Sequence, residues 1–463
     1  MTQDPRPIPP DRLDHFAVAF RGTVIRPTDE AYDDARRVWN GMIDRRPALI
    51  VRPADADDVA AAVRFGRDAE MLIAIRGGGH SMPGYGTCDD GMVIDMSGMR
   101  GAIVDPGRRT ARVNGGALLG ELDTAAQQHG LVCPVGVVSH TGVAGLTLGG
   151  GMGRLQRKHG FTIDNLRAVE VVTADGRLVR ADENENADLF WAMRGAGPNF
   201  GVVTAFEFNL HPFDGTLTMA TATFPASRAR DAWSLFRGLS SSAPDEVLLT
   251  FGMWKAGEDE LPAPFGGTPI ARVGAYHSGD QSAAKMDLQE IANAGERALS
   301  KMEAVSYLDL QRTFDVELGW GHRVYTKGGF TDDLPDAAID GLADHVGTAA
   351  PGASIGLWAQ GGAIARVPED AMAFTGRSAA FQMSTESSWD DPAEDEARIA
   401  WGRAAYAIVE PYSRTGRYVN DVTDSEPDLA RWIYGDAKYD RLVAVKRAWD
   451  PDNVFRVNQN IKP

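Results

Sequence analysis

The segment Arg76–Ser81 reads Arg-Gly-Gly-Gly-His-Ser and places an imidazole beside a run of glycines. Glycine tolerates positive φ angles, so successive amides can turn toward one point and bind a phosphate group. Arg76 can add positive charge at the edge of this nest. The segment therefore predicts a pyrophosphate site, and a tight turn without a ligand is the alternative.

A second glycine-rich segment covers residues 136–153, with seven glycines in 18 residues. The valine, leucine and threonine residues between the glycines make it too apolar for a flexible linker. Such a segment suits main chain packed against a flat, rigid molecule, and a close crossing of two strands is the alternative. Neither segment has G-x-G-x-x-G between a strand and a helix, as nicotinamide dinucleotide sites require. Two separate nests are better explained by one long cofactor, bound at its pyrophosphate and at its ring.

The composition narrows the classes of function. The 463 residues carry 47 basic and 64 acidic side chains, a net charge of -17, which argues against binding to nucleic acid. No apolar run approaches the roughly 20 residues of a membrane-spanning helix, and the first residues lack a signal-peptide core. Cys88 and Cys133 form neither a disulfide framework nor a zinc motif. We expect a cytoplasmic protein without a metal, nucleic-acid or membrane partner.

A β-α-β unit is predicted to position the first glycine segment. The apolar runs 48–51 and 71–75 predict two buried strands, and Asp57 or Asp58 can cap the helix between them. Farther along the chain, Asp175-Gly176 lies between two apolar runs and predicts a hairpin.

The composition changes after Pro212, where the glycine clusters thin out. Strand-like pieces alternate there with two predicted long acidic helices, over residues 281–299 and 391–409. We therefore expect a second domain over residues 213–415, with a different architecture from the segment that precedes it.

Three ordered motifs resemble the berberine-bridge-enzyme-like flavin oxidases of the vanillyl-alcohol-oxidase superfamily. They are RGGGHS, GVVSHTGVAGLTLGGGMGRLQRKHG, and a tail with RYVND and DPDNVFRVNQNI. The match covers residues 46–210 and 417–463, and it is most similar to bacterial members that tailor natural products. The resemblance implies an α+β fold, with a two-part PCMH-type FAD-binding domain formed by 1–212 and by 416–463. Residues 213–415 would form an α+β substrate domain, an antiparallel sheet covered by helices.

The resemblance also implies where FAD binds. The family's histidine in this motif bonds the 8α-methyl group of the flavin, and His80 is that residue here. The whole set implied to contact FAD is Arg76, Gly77, Gly78, Gly79, His80, Ser81, Cys133, Gly136, Ser139, Thr141, Gly142, Gly145, Gly149, Gly150, Gly151, Gly153, Gly201, Val203, Asn458, Gln459 and Asn460.

Cys133 has two interpretations. Some family members form a second flavin bond through a cysteine in a Cys-Pro-x-x-Gly sequence. Here Cys133-Pro134-Val135-Gly136 is one residue shorter, so a second bond to the flavin remains one interpretation. A small buried hydrophobe is the other, because free cysteine often has that role.

The sequence contains weaker signals for the residues that bind the substrate and transfer its proton than for those that bind the cofactor. Oxidation of an alcohol needs a base for the hydroxyl proton, and the resemblance implies a side chain from the second domain or the tail. Tyr418 matches the family's tail tyrosine, and Asp421 either is a base or points to solvent. Tyr325 is our first candidate for binding the substrate or handling its proton, with a core tyrosine as the alternative. His140 either lies near the flavin ring or has a structural role.

These residues support one function above two others. The resemblance implies an FAD-dependent oxidase or dehydrogenase with covalent flavin. It would take hydride from an alcohol carbon of a sugar or secondary metabolite to flavin N5, with O2 as electron acceptor. The alternatives are a flavin oxygenase or oxidative cyclase on a polyketide-like substrate, and a flavin-binding protein without catalysis. We expect a small-molecule substrate and a monomer or homodimer.

Overall fold

The computed structural model describes residues 10–294, 299–425 and 428–463. Its first sheet contains β1 (Thr23–Ile25), β2 (Leu49–Arg52), β3 (Ile73–Arg76) and β4 (Met92–Asp95), in the spatial order β1-β2-β4-β3. The helices α1 (Pro10–Ala19), α2 (Tyr32–Ala35) and α3 (Ala56–Asp68) belong to the same part of the chain. The predicted β-α-β unit is therefore confirmed, with β4 inserted between its two parallel strands. Asp55, rather than Asp57 or Asp58, caps α3, because its carboxylate accepts both of their amide hydrogens.

The second sheet is antiparallel and contains β5 (Ala102–Asp105), β6 (Thr110–Asn114), β8 (Leu166–Val172), β9 (Leu178–Asp182) and β10 (Val202–Asn209), in the order β5-β6-β10-β8-β9. The predicted hairpin joins β8 to β9, and Gly176 has the positive φ of +78° that its turn requires. Also in this region are α4 (Leu119–Gln127), α5 (Val143–Leu148), α6 (Gln156–His159), α7 (Ala187–Ala196) and the short pair β7 (Leu131–Val132) and β11 (His211–Pro212).

The third sheet is antiparallel and contains β12 (Thr216–Pro225), β13 (Val247–Lys255), β14 (Pro269–His277), β15 (Leu299–Ser306), β16 (Arg323–Thr331), β17 (Ala353–Ala359) and β18 (Phe381–Trp389), in the order β15-β12-β14-β13-β17-β18-β16. The helices α8 (Ala229–Ser240), α12 (Asp336–Val346) and α14 (Asp395–Val409) pack their apolar sides against one face of this sheet. On β18, Phe381 and Met383 point into that core, so the alternate residues Gln382, Ser384 and Glu386 point to the opposite face.

One predicted helix is wrong. Residues 281–299 form two short helices, α9 (Gln281–Asp287) and α10 (Gln289–Ala292), and Leu299 already begins β15. Residues 295–298 lie outside the described ranges. The strand forms because β15 pairs with β12 over eight residues, a tertiary interaction that local sequence does not contain. The other predicted helix is present as α14, which begins at Asp395 after a 3-10 turn.

The tail packs back onto the second sheet. The remaining helices are α11 (Tyr307–Leu310), α13 (Ala363–Arg366), α15 (Leu429–Tyr434) and α16 (Asp436–Trp449). Leu429, Ile433 and Leu442 share one hydrophobic core with Phe206 of β10. Lys446 is fully buried and donates to the carboxylate of Asp450 at 2.6 Å. Within the described ranges, no helix is both long and apolar enough to cross a membrane.

Candidate cofactor and active site

A cavity of about 370 Å³ lies where the two glycine segments, the third sheet and the tail meet. The predicted residues that line it are Arg76, Gly77, Gly78, Gly79, His80, Ser81, Gly136, Thr141, Gly142, Gly145, Tyr418, Asp421, Asn458 and Gln459. The structure therefore brings residues from both ends of the chain to one site, as the motifs predicted.

The two glycine segments touch each other directly. A Cβ atom on Gly78 would lie 2.2 Å from the amide nitrogen of Gly142, and a Cβ on Gly142 would lie 2.2 Å from that of Gly78. No side chain fits at either position, because both contacts are to main chain. The second segment therefore makes a close backbone crossing, between a loop and the start of α5 rather than between two strands, and this crossing forms a wall of the cavity. That a flat molecule packs against it stays a prediction.

Several predicted cofactor contacts do not line the cavity. Four glycines of the second segment lie outside the cavity lining, because each packs against other residues of the protein: Gly149, Gly150, Gly151 and Gly153. A Cβ on Gly151 would lie 2.2 Å from the Thr162 hydroxyl oxygen, and one on Gly153 would lie 1.8 Å from a carbonyl oxygen. These glycines permit tight packing beside the site.

Four more predicted contacts lie elsewhere. Gly201 is packed against β8, and Val203 is buried in the core beneath the second sheet. Ser139 is held by Asp315, whose carboxylate accepts its amide hydrogen at 2.8 Å. Asn460 belongs to the tail but does not line the cavity. A sequence motif gives the neighbourhood of these residues and not the direction in which each points.

The Arg76 side chain stabilises the start of the first glycine segment through hydrogen bonds to the protein interior. Its guanidinium donates to the carboxylate of Asp95 at 2.8 Å and to the carbonyl oxygen of Ala35 at 2.6 Å. The side chain is buried, as is that of Asp95. The charge predicted at the edge of the nest is therefore paired inside the protein, and Arg76 fixes the end of β3 from which the glycines start.

Cys133 lies in the hydrophobic core and does not line the cavity. Burial raises the pKa of its thiol well above the ordinary range, and the nearby Asp123 raises it further. A thiol is a nucleophile only as the thiolate. Of the two interpretations of Cys133, the structure therefore supports the small buried hydrophobe.

His80 is held between aromatic rings and a second histidine. Its ring stacks on Trp39 with 4.7 Å between centroids, and Trp320 approaches edge-on at 6.3 Å. Its Nε2 lies 2.7 Å from Nδ1 of His140. Burial lowers the pKa of His80 to about 3, and the His140 ring contributes to this shift. The imidazole is therefore neutral and nucleophilic at neutral pH.

Two carboxylates line the cavity, and the sequence predicted one of them, Asp421, as a candidate base. Asp421 points into the cavity rather than to solvent, and its carboxylate accepts a hydrogen bond from Gln382 Nε2 at 2.8 Å. Glu386, which the sequence analysis missed, lies on the same wall, together with Gln382 and Ser384 of β18. The strand has polar residues on both faces, since Thr385 and Ser387 alternate with Ser384 and Glu386, so its pattern did not mark the cavity face.

Both carboxyl groups are poor acids. Burial raises the pKa of Asp421 to about 7, and the charge of Glu386 adds to the effect. Burial likewise raises the pKa of Glu386 to about 7, with a contribution from Glu317. Two carboxyls with such values exchange protons near neutral pH, as a general acid or base must.

Tyr418 lines the cavity beside this pair. Its phenol oxygen accepts the amide hydrogens of Gly151 and Met152, each at 3.2 Å, and a hydrogen of the Asn420 amide at 3.0 Å. Burial raises its pKa to about 12, and Asp421 adds to this. The phenol therefore stays protonated, with its position fixed by three donors.

Tyr325 does not face the cavity, so its prediction as a substrate contact is wrong. Its hydroxyl donates to Asp424 at 2.9 Å, and its ring packs against Gly402 of α14. The register explains this result: Tyr325 is opposite Ser387 of β18, whereas the cavity residue Glu386 is opposite Thr326. Neighbouring residues of a strand point to opposite faces, and Tyr325 is on the helix face.

The residues present fit a flat dinucleotide. A Cβ at Gly145 would meet nothing within 4 Å, so this glycine leaves open space on the cavity side. Asn458 lines the cavity, and its buried Oδ1 atom has no hydrogen-bond partner among the described residues. An unpaired buried acceptor favours a ligand with a donor group.

Comparisons with known proteins agree with this geometry. Residues 47–182 match the family described as FAD binding domain, and residues 417–462 match that described as berberine and berberine like. An FAD-linked oxidoreductase of Dictyostelium discoideum is 31% identical over 97% of both chains.

Solved structures extend the agreement to the fold. The structure of 6-hydroxy-D-nicotine oxidase from Arthrobacter nicotinovorans superposes with a TM-score of 0.84 at 30% identity, over 96% of this chain and 98% of the other. Glucooligosaccharide oxidase from Acremonium strictum, described with 6-S-cysteinyl, 8α-N1-histidyl FAD, gives 0.86 at 26% identity, over 98% and 99%. This chain, with its α+β fold of the PCMH type and its FAD-binding domain, therefore belongs to the berberine-bridge-enzyme-like family of FAD-linked oxidoreductases.

Proposed function

We propose that this protein is an oxidase that carries FAD covalently on His80 and oxidises a CH–OH carbon of a sugar or secondary metabolite. The observation that supports this most directly is the composition of one cavity. A neutral histidine lies beside the glycine crossing, and the carboxylate pair Glu386 and Asp421 lines the same space. The histidyl-linked flavin of glucooligosaccharide oxidase supports the tether.

Bound FAD would supply the hydride acceptor, flavin N5, and O2 would take the electrons in turn. The carboxylate pair has the role of general base, because at pH above about 7 at least one member is ionised and can accept a hydroxyl proton. Tyr418 stays protonated and can donate a hydrogen bond to the same substrate oxygen. Gln382 keeps the Asp421 carboxylate directed into the cavity.

Oxidation of an amine carbon is a second candidate. Glu386 and Asp421 have no cationic partner in the described part of the chain, and Arg76, the cation of the cavity wall, is already paired with Asp95. A substrate with a protonated nitrogen would neutralise this pair. The relative named 6-hydroxy-D-nicotine oxidase supports including such compounds.

Three further expectations from the sequence stay predictions. They are membership of the natural-product-tailoring branch, a cytoplasmic location, and a monomer or homodimer.

The test is anaerobic mixing of the holoprotein with a panel of sugars, hydroxylated polyketides and hydroxylated amines. Loss of the oxidised-flavin absorbance before any O2 is admitted supports the oxidase, and the compound that causes it decides between alcohol and amine. Glu386→Gln and Asp421→Asn should slow flavin reduction, whereas Asp309→Asn, at an exposed position, should not. Bound flavin that no compound reduces would favour a protein without catalysis. Incorporation of 18O from O2 into the product would favour an oxygenase.

A further inference from the structure

His80 is one member of a chain of three groups that connects the glycine crossing to the loop before β16. Nε2 of His80 lies 2.7 Å from Nδ1 of His140. Nε2 of His140 lies 3.2 Å from the main-chain carbonyl oxygen of Asp315. The third group comes from the segment that continues into the third sheet, so the chain links the two parts of the protein.

The Asp315 carbonyl oxygen, at the end of this series of hydrogen bonds, determines which ring nitrogen of His140 carries a hydrogen. A carbonyl oxygen can only accept, so Nε2 of His140 carries a hydrogen. The hydrogen of the 2.7 Å contact is assigned to Nε2 of His80, with Nδ1 of His140 as its acceptor. His80 therefore has its lone pair at Nδ1. The hydroxyl of Thr141, another cavity residue, lies 3.4 Å from that atom.

The rings are held in this arrangement from several sides. Ser139, the residue before His140, donates its amide hydrogen to the Asp315 carboxylate at 2.8 Å and its hydroxyl to the other oxygen. His80 is stacked on Trp39. Rotation of either ring would break a hydrogen bond or the stack, so one tautomer pair is favoured over the others.

We propose that His140, anchored by the Asp315 carbonyl, is the positioning residue for attachment of the flavin. It leaves the lone pair of His80 at Nδ1, and it accepts the Nε2 proton of His80 when Nδ1 forms its new bond. The inference rests on the proposed covalent site at His80. It assigns to His140 a role in building the holoenzyme, separate from turnover of the substrate.

The step balances when O2 is the oxidant. A bond forms between Nδ1 of His80 and the 8α-carbon, and one C–H bond of the methyl group breaks, with its hydrogen leaving as a proton. The N–H proton of His80, on Nε2, passes to His140. The electron pair of the broken C–H bond passes through the flavin to O2, which takes up two protons and becomes hydrogen peroxide.

The test follows covalent incorporation in full-length apoprotein from riboflavin-starved cells. Purified apoprotein is mixed with FAD and air, and acid-precipitated samples are measured for flavin that stays on the polypeptide. His140→Ala should slow incorporation about 100-fold, the lower range for a positioned proton acceptor. His140→Gln can accept the same hydrogen bond but cannot take the proton, so it should be slow and still link through Nδ1. His159→Ala is the matched control, since His159 stacks on His211 outside the cavity.

The linkage atom gives a second readout. In the isolated flavinyl peptide, a nuclear Overhauser effect from the 8α-methylene to the histidine β-protons indicates Nδ1, and one to Hδ2 indicates Nε2. Linkage of the wild type through Nε2 would overturn the inference, even where His140→Ala fails to bind FAD. Wild-type incorporation rates in both His140 variants would overturn it as well. Flavin that acid releases from the wild type would instead refute the tether on His80, and with it the proposed function.

Discussion

Replacement of Asp421 by asparagine should stabilise the protein at alkaline pH while it slows catalysis. Burial and the charge of Glu386 raise the pKa of Asp421 from 3.8 to about 7 in the folded protein. The carboxylate is therefore less favourable in the fold than in the unfolded chain. Asparagine has nearly the same shape, and its amide oxygen can still accept the hydrogen bond from Gln382.

The sign and size of the expected change in the free energy of unfolding follow from the different proton binding of the folded and unfolded states. Between about pH 4 and pH 7 the unfolded chain releases a proton that the folded protein retains, so the free energy of unfolding falls as pH rises through this window. A shift from 3.8 to about 7 corresponds to roughly 4 kcal/mol as an upper bound, at 1.36 kcal/mol for each pKa unit. Asp421→Asn removes this penalty, which is complete above pH 7 and absent below pH 4.

The assay compares chemical denaturation of the wild type and the variant at about pH 4.5 and at about pH 8. The variant should gain stability at the higher pH and little at the lower, whereas Asp309→Asn should change nothing at either. An equal gain at both pH values would show that packing, and not ionisation, is responsible. Absence of a gain at pH 8 would refute the raised pKa.

Five further outcomes are expected. Gly78→Ala should lose roughly 2 kcal/mol or more of stability in urea denaturation, because its Cβ meets main chain at 2.2 Å. Gly145→Ala should fold normally but bind FAD less tightly in a flavin titration. His80→Ala should release all of its flavin on acid precipitation, because the buried Cys133 thiol forms no bond, and flavin that stays on this variant would show a bond through Cys133. Tyr325→Phe should keep turnover within about twofold, since it faces the helices, whereas Tyr418→Phe should reduce kcat at least about tenfold if it donates to substrate.

Local sequence was sufficient for the features that depend on neighbours along the chain. The β-α-β unit and the Asp175-Gly176 hairpin follow from apolar runs and turn residues, and the structure contains both. The glycine segments were identified because only glycine permits their backbone contacts. The motif around His80 and the tail motif together gave the family and its cofactor. The helix prediction failed at β15 because this strand depends on its partner β12, in which the residue opposite Leu299 is Thr223, 76 positions earlier.

The cavity side of the third sheet was decided by tertiary structure alone. Tyr325 and Thr326 are adjacent in sequence, yet the pairing with β18 sends one toward α14 and leaves the other opposite Glu386. A slip of one residue in that register would exchange the two faces, and nothing in the sequence of either strand fixes the register. The sequence therefore determined the family and its FAD-binding domain, and it predicted His80 as the residue that carries the flavin. Only the folded sheet decided which side chains of β18 line the cavity, because strand pairing, and not composition, selects the face on which Glu386 lies.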